Sequence, residues 1–141
     1  MTTKKRIHAV EGLFSETADG PRLLGSKCRG CGAVYFPRDS VCHNPGCSDP
    51  AMEDASFGPS GKIWGCAIQN YAPPLPVLTR EPYQPYAVAM VDLDDGLRVM
   101  GRIETDDPMS VSVGGRVELV VGGLCDDEDG NEIVTWMFRP V

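Results

Sequence analysis

Two pairs of closely spaced cysteines constrain the fold of this chain more than any other feature. The first pair lies at the two ends of Cys28-Arg29-Gly30-Cys31, and the second pair lies at the two ends of Cys42-His43-Asn44-Pro45-Gly46-Cys47. Four thiolates spaced in this way can close on one tetrahedral ion with Zn–S bonds of about 2.3 Å. Since protein thiolates would fill every coordination position, no position remains for a substrate or a water molecule. The spacing therefore predicts one structural Zn²⁺ held by Cys28, Cys31, Cys42 and Cys47.

Three other interpretations of the cysteines stay open at the level of sequence. The thiols could form two disulfides, iron could replace zinc because four thiolates also hold iron, or His43 could replace one thiolate. The disulfide alternative is disfavoured because the basic start of the chain, residues 1–6, is not followed by an apolar run of signal-peptide length. No segment approaches the ~20 apolar residues that cross a bilayer. We therefore expect a cytoplasmic protein with reduced thiols.

Charge is unevenly distributed along the 141 residues. Residues 1–56 carry seven basic and seven acidic side chains, whereas residues 57–141 carry six basic and thirteen acidic ones. The net charge of −7 thus belongs entirely to the C-terminal part. A nucleic-acid surface needs a basic stripe that displaces counterions, so the charge argues against a nucleic-acid partner.

The apolar pattern divides the chain into three parts. Ile7, Val10 and Phe14 recur at helical spacing, which predicts a short helix in an N-terminal segment of residues 1–20. Short strands flank the first cysteine pair, so residues 21–56 are predicted to form a zinc ribbon. The run Phe57-Gly58-Pro59-Ser60-Gly61 is rich in turn formers and marks the boundary to a second domain, residues 57–141.

The second domain is predicted to be all β. Its strand candidates are rich in β-branched and aromatic residues and alternate with turn signals, at residues 62–71, 86–93, 97–103, 116–121 and 132–138. Asp95-Gly96 between two apolar runs is a strong hairpin signal. A long first strand and two hairpins are typical of a five-stranded OB-fold barrel. The fold class is therefore mainly β, with a short helix, a zinc ribbon and a barrel.

The inventory of reactive side chains argues against catalysis by this chain. It contains only two histidines, His8 and His43, and neither has an obvious nucleophile or orienting acid nearby in sequence. The acidic run 126–132 does not fit a calcium loop, because Cys125 and Trp136 would occupy positions that require carboxylates. It is interpreted as a solvated hairpin tip.

Several motifs together resemble a known family. They are the ribbon KCRGCGAVYFPR at residues 27–38, the hairpin PYAVAMVDLDDG at 85–96, VGGRVE at 113–118 and the ending FRP at 138–140. This combination is similar to the family called domain of unknown function thirty-five, over nearly all of residues 14–140. One departure is the second cysteine pair, which encloses four residues where the family usually has two.

The resemblance implies a rubredoxin-like zinc ribbon joined to an acyl-CoA-associated OB-fold. It also implies a non-catalytic partner of thiolase-fold enzymes, such as the small subunit of a benzoylsuccinyl-CoA thiolase, in thiolytic or retro-aldol C–C cleavage or in condensation. The expected partner is a thiolase-fold subunit, with acyl-CoA at the shared interface and no nucleic acid or membrane. The alternatives are a single-strand nucleic-acid binder and a rubredoxin-like electron carrier with iron in the ribbon.

The proline-rich loop between the first two barrel strands is the predicted contact surface. Proline fixes φ and so lowers the entropy lost on docking, and OB-folds commonly bind through this loop. An arginine in the loop could bind a CoA phosphate. The predicted partner or CoA-channel residues are Tyr71, Leu75, Leu78, Arg80, Tyr83 and Tyr86.

Overall fold

The computed structural model describes residues 5–74 and 77–141, and the N-terminal part of the chain is built around one central strand. The strands there are β1 (Arg6–His8), β2 (Phe14–Thr17), β3 (Gly20–Cys28), β4 (Val34–Tyr35) and β5 (Met52–Phe57). β5 pairs with β3 along one edge, from Leu23 to Cys28, while β2 and β4 share the other edge. All three pairings are antiparallel, and this ribbon sheet carries Cys28 at the end of its central strand.

Five further strands close into a barrel. They are β6 (Ser60–Gln69), β7 (Tyr86–Leu93), β8 (Arg98–Ile103), β9 (Arg116–Asp126) and β10 (Glu132–Pro140). The order is β6-β7-β8-β10-β9, and β9 pairs back to β6 to complete the closure. β8 and β10 run parallel, whereas the other neighbours run antiparallel. This connectivity is that of an OB-fold and confirms the predicted barrel.

The barrel interior follows the alternation of apolar residues along each strand. In β7, every second residue from Ala87 to Leu93 is buried, which is the period of two expected for a strand with one buried face. Gly101 on β8 is needed for packing, because a Cβ there would lie 2.8 Å from ring atoms of the fully buried Phe138. Residues of the ribbon sheet extend the same core: Phe14, Leu23 and Phe57.

The predicted N-terminal helix is wrong. Instead, β1 pairs in parallel with β10, so that Ile7 lies opposite Ile133, and Phe14 begins a strand that pairs with β3. Gly12 adopts a φ of +84°, outside the helical region. A helix of this length is marginal in isolation, and pairing with existing strands satisfies the backbone without it.

Within the described residues there is no α-helix, only a 3-10 turn at Pro108–Ser110. Consequently, none of the helical structure found there has the length and apolar character required to span a bilayer. Two predicted turns are confirmed. Gly96 joins β7 to β8 with a φ of +101°, and the acidic run joins β9 to β10, where the Asp127 carboxylate accepts backbone hydrogen bonds from Asp129 and Asn131.

Candidate functional site

Two tight turns bring the four cysteines together beyond the end of β3. In the first turn the Gly32 amide donates to the Cys28 carbonyl at 2.7 Å, and Gly32 takes a φ of +81° that glycine adopts without steric cost. In the longer second turn, the Asn44 side-chain oxygen accepts from the Gly46 amide at 3.0 Å. The Asn44 backbone carbonyl accepts from the Cys47 amide, also at 3.0 Å. Asn44 thus closes the turn that departs from the usual two-residue spacing.

The sulfur geometry fits one four-coordinate ion. All four Sγ atoms lie within 4.8 Å of one another, with 3.8 Å between Cys28 and Cys47 and 3.6 Å between Cys31 and Cys42. A disulfide would require an S–S distance of about 2.05 Å, so the cysteines are free thiols in this structure. A tetrahedron with metal–sulfur bonds of about 2.3 Å has edges of about 3.8 Å. The separations of 3.8 and 3.6 Å match those edges.

Backbone amides and burial shift the pKa values of Cys28, Cys31 and Cys47 in opposite directions. The Ala51 amide donates to Cys28 Sγ at 3.4 Å, and this hydrogen bond is the main reason that the pKa of Cys28 falls to about 6. The pKa of Cys31 is lowered chiefly by the Ala33 amide, whereas burial raises the pKa of Cys47 to about 12. A bound cation would stabilise all four as thiolates, the form that ligates metal.

His43 is not a fifth candidate ligand in this arrangement. Its Nε2 lies 2.5 Å from Asp39 Oδ2, and its ring packs edge-on against Tyr35 with 5.6 Å between centroids. The Tyr35 hydroxyl accepts a hydrogen bond from the His43 amide at 2.9 Å and lies 3.5 Å from Cys42 Sγ. Tyr35 therefore contacts the second turn at Cys42 and His43 from a strand outside it. The sequence did not predict this contact of the Tyr35 hydroxyl, because Tyr35 was interpreted only as a strand residue.

The proline-rich loop presents apolar side chains at the surface. Tyr71 is 75% exposed and Leu78 is 37% exposed, so both are available to a partner. Leu75, which was predicted to share this surface, lies outside the described residues. Arg80 is half-exposed, with its guanidinium 3.8 Å from Glu132 Oε2 and 3.9 Å from Asp126 Oδ2.

The two remaining tyrosines of the predicted surface fasten the loop instead of projecting from it. The Tyr83 hydroxyl donates to the Gln69 carbonyl at 2.6 Å, which ties the loop to the end of β6. Tyr86 begins β7 and packs edge-on against Tyr83, with 6.2 Å between centroids. The structure thus brings together Arg80, Tyr83 and Tyr86 around one small cavity, and leaves Tyr71 and Leu78 outside its lining.

Sequence reasoning missed two features of the barrel surface. Arg102 lies 3.7 Å above the Tyr86 ring and lines the same cavity. In addition, the outer face of the barrel exposes Trp64 and Met100, at 57% and 56%, beside an apolar groove of about 200 Å³ that also involves Val88 and Met90. The outward-facing positions of a strand could have been read from alternation, but nothing in the sequence indicates which ones meet.

Two family models match the chain. The model of the ChsH2 rubredoxin-like zinc ribbon domain matches residues 18–53, and the model of the ChsH2 C-terminal OB-fold domain matches residues 56–122.

Named relatives match over most of their length. A DUF35 domain-containing scaffold protein of Methanothermobacter thermautotrophicus is 34% identical over 120 residues, covering 84% of this chain and 86% of the relative. The benzoylsuccinyl-CoA thiolase subunit BbsA of Thauera aromatica is 30% identical over 131 residues, covering 92% of this chain and 85% of the relative. Among solved structures, a chain of the Ltp2-ChsH2(DUF35) aldolase superposes with a TM-score of 0.62 at 24% identity, covering 84% of each chain. At that identity the superposition supports the fold alone.

Proposed function

Because the chain belongs to the DUF35 family, whose members join a ChsH2-type zinc ribbon to an OB-fold, we propose that it is a non-catalytic subunit of a heteromeric thiolase-like enzyme acting on acyl-CoA. The observation that carries the proposal is the match to BbsA, a benzoylsuccinyl-CoA thiolase subunit, over 92% of this chain. The name scaffold protein, given to the archaeal relative, fits an accessory role. The catalysed step would be thiolytic or retro-aldol C–C cleavage on the partner, with benzoylsuccinyl-CoA thiolase as one candidate.

The metal part of the proposal is one Zn²⁺ bound by Cys28, Cys31, Cys42 and Cys47. The support is that all Sγ atoms lie within 4.8 Å of one another and that two of their separations, 3.8 and 3.6 Å, match the edges of a tetrahedral site. A zinc ion with four thiolate ligands supplies a cross-link between the two turns and no reaction centre. The residues of this chain contribute the thiolates, and the Ala51 amide stabilises the charge on Cys28.

The organisation we propose is a ribbon of residues 21–56 followed by a barrel domain of residues 57–141, in a cytoplasmic protein. In the barrel domain the proline-rich loop would face the thiolase-fold partner and border its acyl-CoA channel. Exposure of Tyr71 and Leu78 supports this assignment, as does the fastening of the loop by Tyr83. A preformed surface loses less entropy on docking than a flexible one. Arg80, Tyr86 and Leu75 complete the proposed loop surface.

Reconstitution tests the subunit role. The tagged chain is purified from its own cells with whatever associates, and acyl-CoA cleavage is measured for the complex, for the chain alone and for the recombined components. We expect turnover by the complex and by the recombined components, and none by the chain alone. Robust cleavage by the chain alone would contradict the proposal, as would a co-purifying enzyme unrelated to acyl-CoA chemistry.

A pair of variants tests the loop. Tyr71→Ser with Leu78→Ser removes the exposed apolar side chains and leaves the Tyr83 hydrogen bond in place, so we expect a weaker complex with unchanged metal content. Val113→Ser is the control, because Val113 is also exposed but lies away from the loop. The amide of the next residue, Gly114, donates to the carbonyl of Ile63, near the end of β6 that is farther from the loop. Equal affinity of all three proteins for the partner would show that the loop is not the contact surface.

The nucleic-acid alternative is tested by titrating the chain with single-stranded DNA at ~0.15 M salt. We expect negligible binding, because residues 57–141 carry thirteen acidic and six basic side chains. Tight, salt-sensitive binding would favour the OB-fold nucleic-acid binder instead.

A further inference from the structure

Two arginines on β8 occupy similar positions but differ in how their charge is satisfied. Arg98 stacks on Trp64 at 4.3 Å and pairs with Asp92 through two hydrogen bonds, of 2.6 and 3.1 Å. Arg102 stacks on Tyr86 at 3.7 Å, but its Nη1 atom is buried and finds no hydrogen-bond acceptor among the described residues. Each guanidinium thus has an aromatic neighbour, and Arg98 alone also has a carboxylate.

Leaving the Nη1 group of Arg102 without an acceptor costs free energy in the folded protein. Burial is the main factor that lowers the pKa of Arg102, and its half-buried guanidinium has lost part of its hydration. A buried N–H without an acceptor forfeits the water hydrogen bond it had in the unfolded chain, and the penalty is larger for a charged group. Buried polar atoms of folded proteins usually have a hydrogen-bond partner in the protein, in ordered water or in a bound ion.

Arg102 is one of the residues that line a small cavity. It has a volume of about 100 Å³, and none of its lining residues is acidic. Its walls are Thr79, Arg80, Tyr83, Gln84, Tyr86, Arg102, Gly123 and Leu124. A space of this size can hold one compact polyatomic group. Two guanidinium groups on one small cavity stand out in a domain with a strong excess of acidic side chains.

We propose that this arginine pocket binds a single oxyanion group, either a phosphate or a carboxylate. The guanidinium of Arg102 would donate hydrogen bonds to the anion. Arg80 would add a positive charge from the rim, where it also lies 3.8 Å from Glu132 and 3.9 Å from Asp126. Charge-assisted hydrogen bonds of this kind are shorter and stronger than neutral ones, and arginine is suited to both anions. The pocket is defined without reference to a partner enzyme. The proposed function only suggests two sources, a phosphate of CoA and a carboxylate of the partner.

The test uses the full-length chain with its metal and two simple probes. Inorganic phosphate and acetate are titrated separately at constant ionic strength, and the amide signals of Gly123 and Leu124 and the side-chain Nε–H signal of Arg102 are followed by NMR. We expect saturable shifts at these positions. In Arg102→Gln the dissociation constant should rise at least about tenfold, because the charged donor is lost.

Arg98→Gln is the matched control, since it removes an arginine of the same strand that already has a carboxylate partner. It should bind the anion as the unmodified chain does. If Arg102→Gln does not fold, Arg102→Lys keeps the charge without the planar fork and should bind more weakly than the unmodified chain.

The outcomes separate the sources as well. Saturation by phosphate supports a phosphate source, saturation by acetate supports a carboxylate source, and saturation by both supports a shared oxyanion site. Linear shifts with both probes, or equal dissociation constants for the unmodified chain and Arg102→Gln, would overturn the proposal. Because the chain is tested alone, this failure is distinct from a failure to find a thiolase-like partner.

Discussion

The cysteine turns and the barrel of this protein are held together by different means. From Arg29 to Pro50 no residue is buried, and the only regular structure there is the two-residue strand β4. The barrel instead contains a continuous apolar core: Ile63, Ala87, Ala89, Val91, Leu93, Val99, Ile103, Val117, Leu119, Val134 and Phe138. Burial of apolar surface stabilises the barrel, whereas in the segment 29–50 only Val34 and Phe36 pack against that core, and both are partly buried. In that segment, we expect a metal bound by the four thiols to stabilise the structure in place of an apolar core.

The border between the two modes lies inside the ribbon sheet. Phe14, Leu23 and Phe57 belong to the core that the barrel builds, although they come from β2, β3 and β5. The part of the sheet nearest the barrel is therefore stabilised by burial, and we expect the cysteine turns at its far end to depend on a bound metal. When the metal is removed, we expect the turns to unfold locally while the barrel stays folded.

Removing the metal ligands should produce the largest effect. In Cys28→Ser/Cys47→Ser the metal content should fall from one ion per chain to none, since two of four ligands are gone. Hydrogen exchange measured by mass spectrometry should then show loss of protection in residues 29–50, with protection of β6–β10 unchanged.

The matched control is Cys66→Ser/Cys125→Ser, which removes two cysteines outside the cluster and should leave both regions unchanged. Retention of metal by the first variant would contradict the ligand assignment. Loss of protection throughout the barrel would contradict the separation of the two modes.

A substitution in the barrel core should instead destabilise the barrel and leave the metal content unchanged. Gly101→Ala places a Cβ 2.8 Å from the Phe138 ring and should lower the free energy of unfolding by about 1–3 kcal/mol through overpacking, with metal content unchanged. Gly65→Ala, where nothing lies within 4 Å of the added Cβ, is the control and should stay close to the unmodified chain. Urea unfolding of both variants decides the matter, and equal destabilisation by the two would show that the Phe138 contact does not control packing.

This contrast also explains which features the sequence could predict. Apolar alternation marked the barrel strands, because their inner face is buried by a regular period, and residues 86–93 were predicted with the bounds that β7 has. Cysteine spacing marked the cluster, because ligands need only short turns between them. The zinc-ribbon and OB-fold architecture was therefore predictable from local patterns.

Features that depend on distant partners were not predictable. Ile7, Val10 and Phe14 have helical spacing, but β10 and β3 offered strand partners that a local pattern cannot show. The stacking of Arg102 on Tyr86 joins residues of two strands and depends on their register. Local propensity is overridden in such places by tertiary pairing.

The hydroxyl of Tyr35 should have a smaller effect, limited to the cysteine turns. Tyr35→Phe removes the acceptor for the His43 amide and the contact with Cys42 Sγ. Since groups that orient metal ligands tune affinity, we expect metal transfer to a chelator to accelerate by about tenfold, with the thermal midpoint of the barrel unchanged. Tyr71→Phe removes the hydroxyl of an exposed tyrosine and serves as the control. Identical transfer rates for the two variants would assign Tyr35 no part in holding the turn.

Surface ion pairs of the barrel should contribute least. Hydrogen bonding to Arg98 lowers the pKa of Asp92, and Arg116 does the same for Asp94. A carboxyl whose folded pKa lies below its unfolded value, about 3.9, contributes stability above that value and loses it as the pH falls through the folded pKa.

Asp92→Asn should therefore lower the urea midpoint slightly at pH 7, and the difference from the unmodified chain should vanish in strong acid. High salt should reduce the difference at pH 7, because both side chains are substantially exposed. Glu128→Gln, on the exposed tip between β9 and β10, is the control. A difference that grows on acidification would reverse the sign that the Arg98 pair requires.

The central claim is that a metal bound by four thiols stabilises the cysteine turns. A combined metal and thiol count on the purified, unmodified chain tests it most directly. Elemental analysis should give one zinc per chain without visible absorbance, and only two of the six cysteines, Cys66 and Cys125, should react rapidly with a thiol reagent until a chelator is added. Visible absorbance with one iron per chain would instead identify the rubredoxin-like alternative. A metal-free chain in which all six thiols react at once, while residues 29–50 keep their hydrogen-exchange protection, would contradict the central claim.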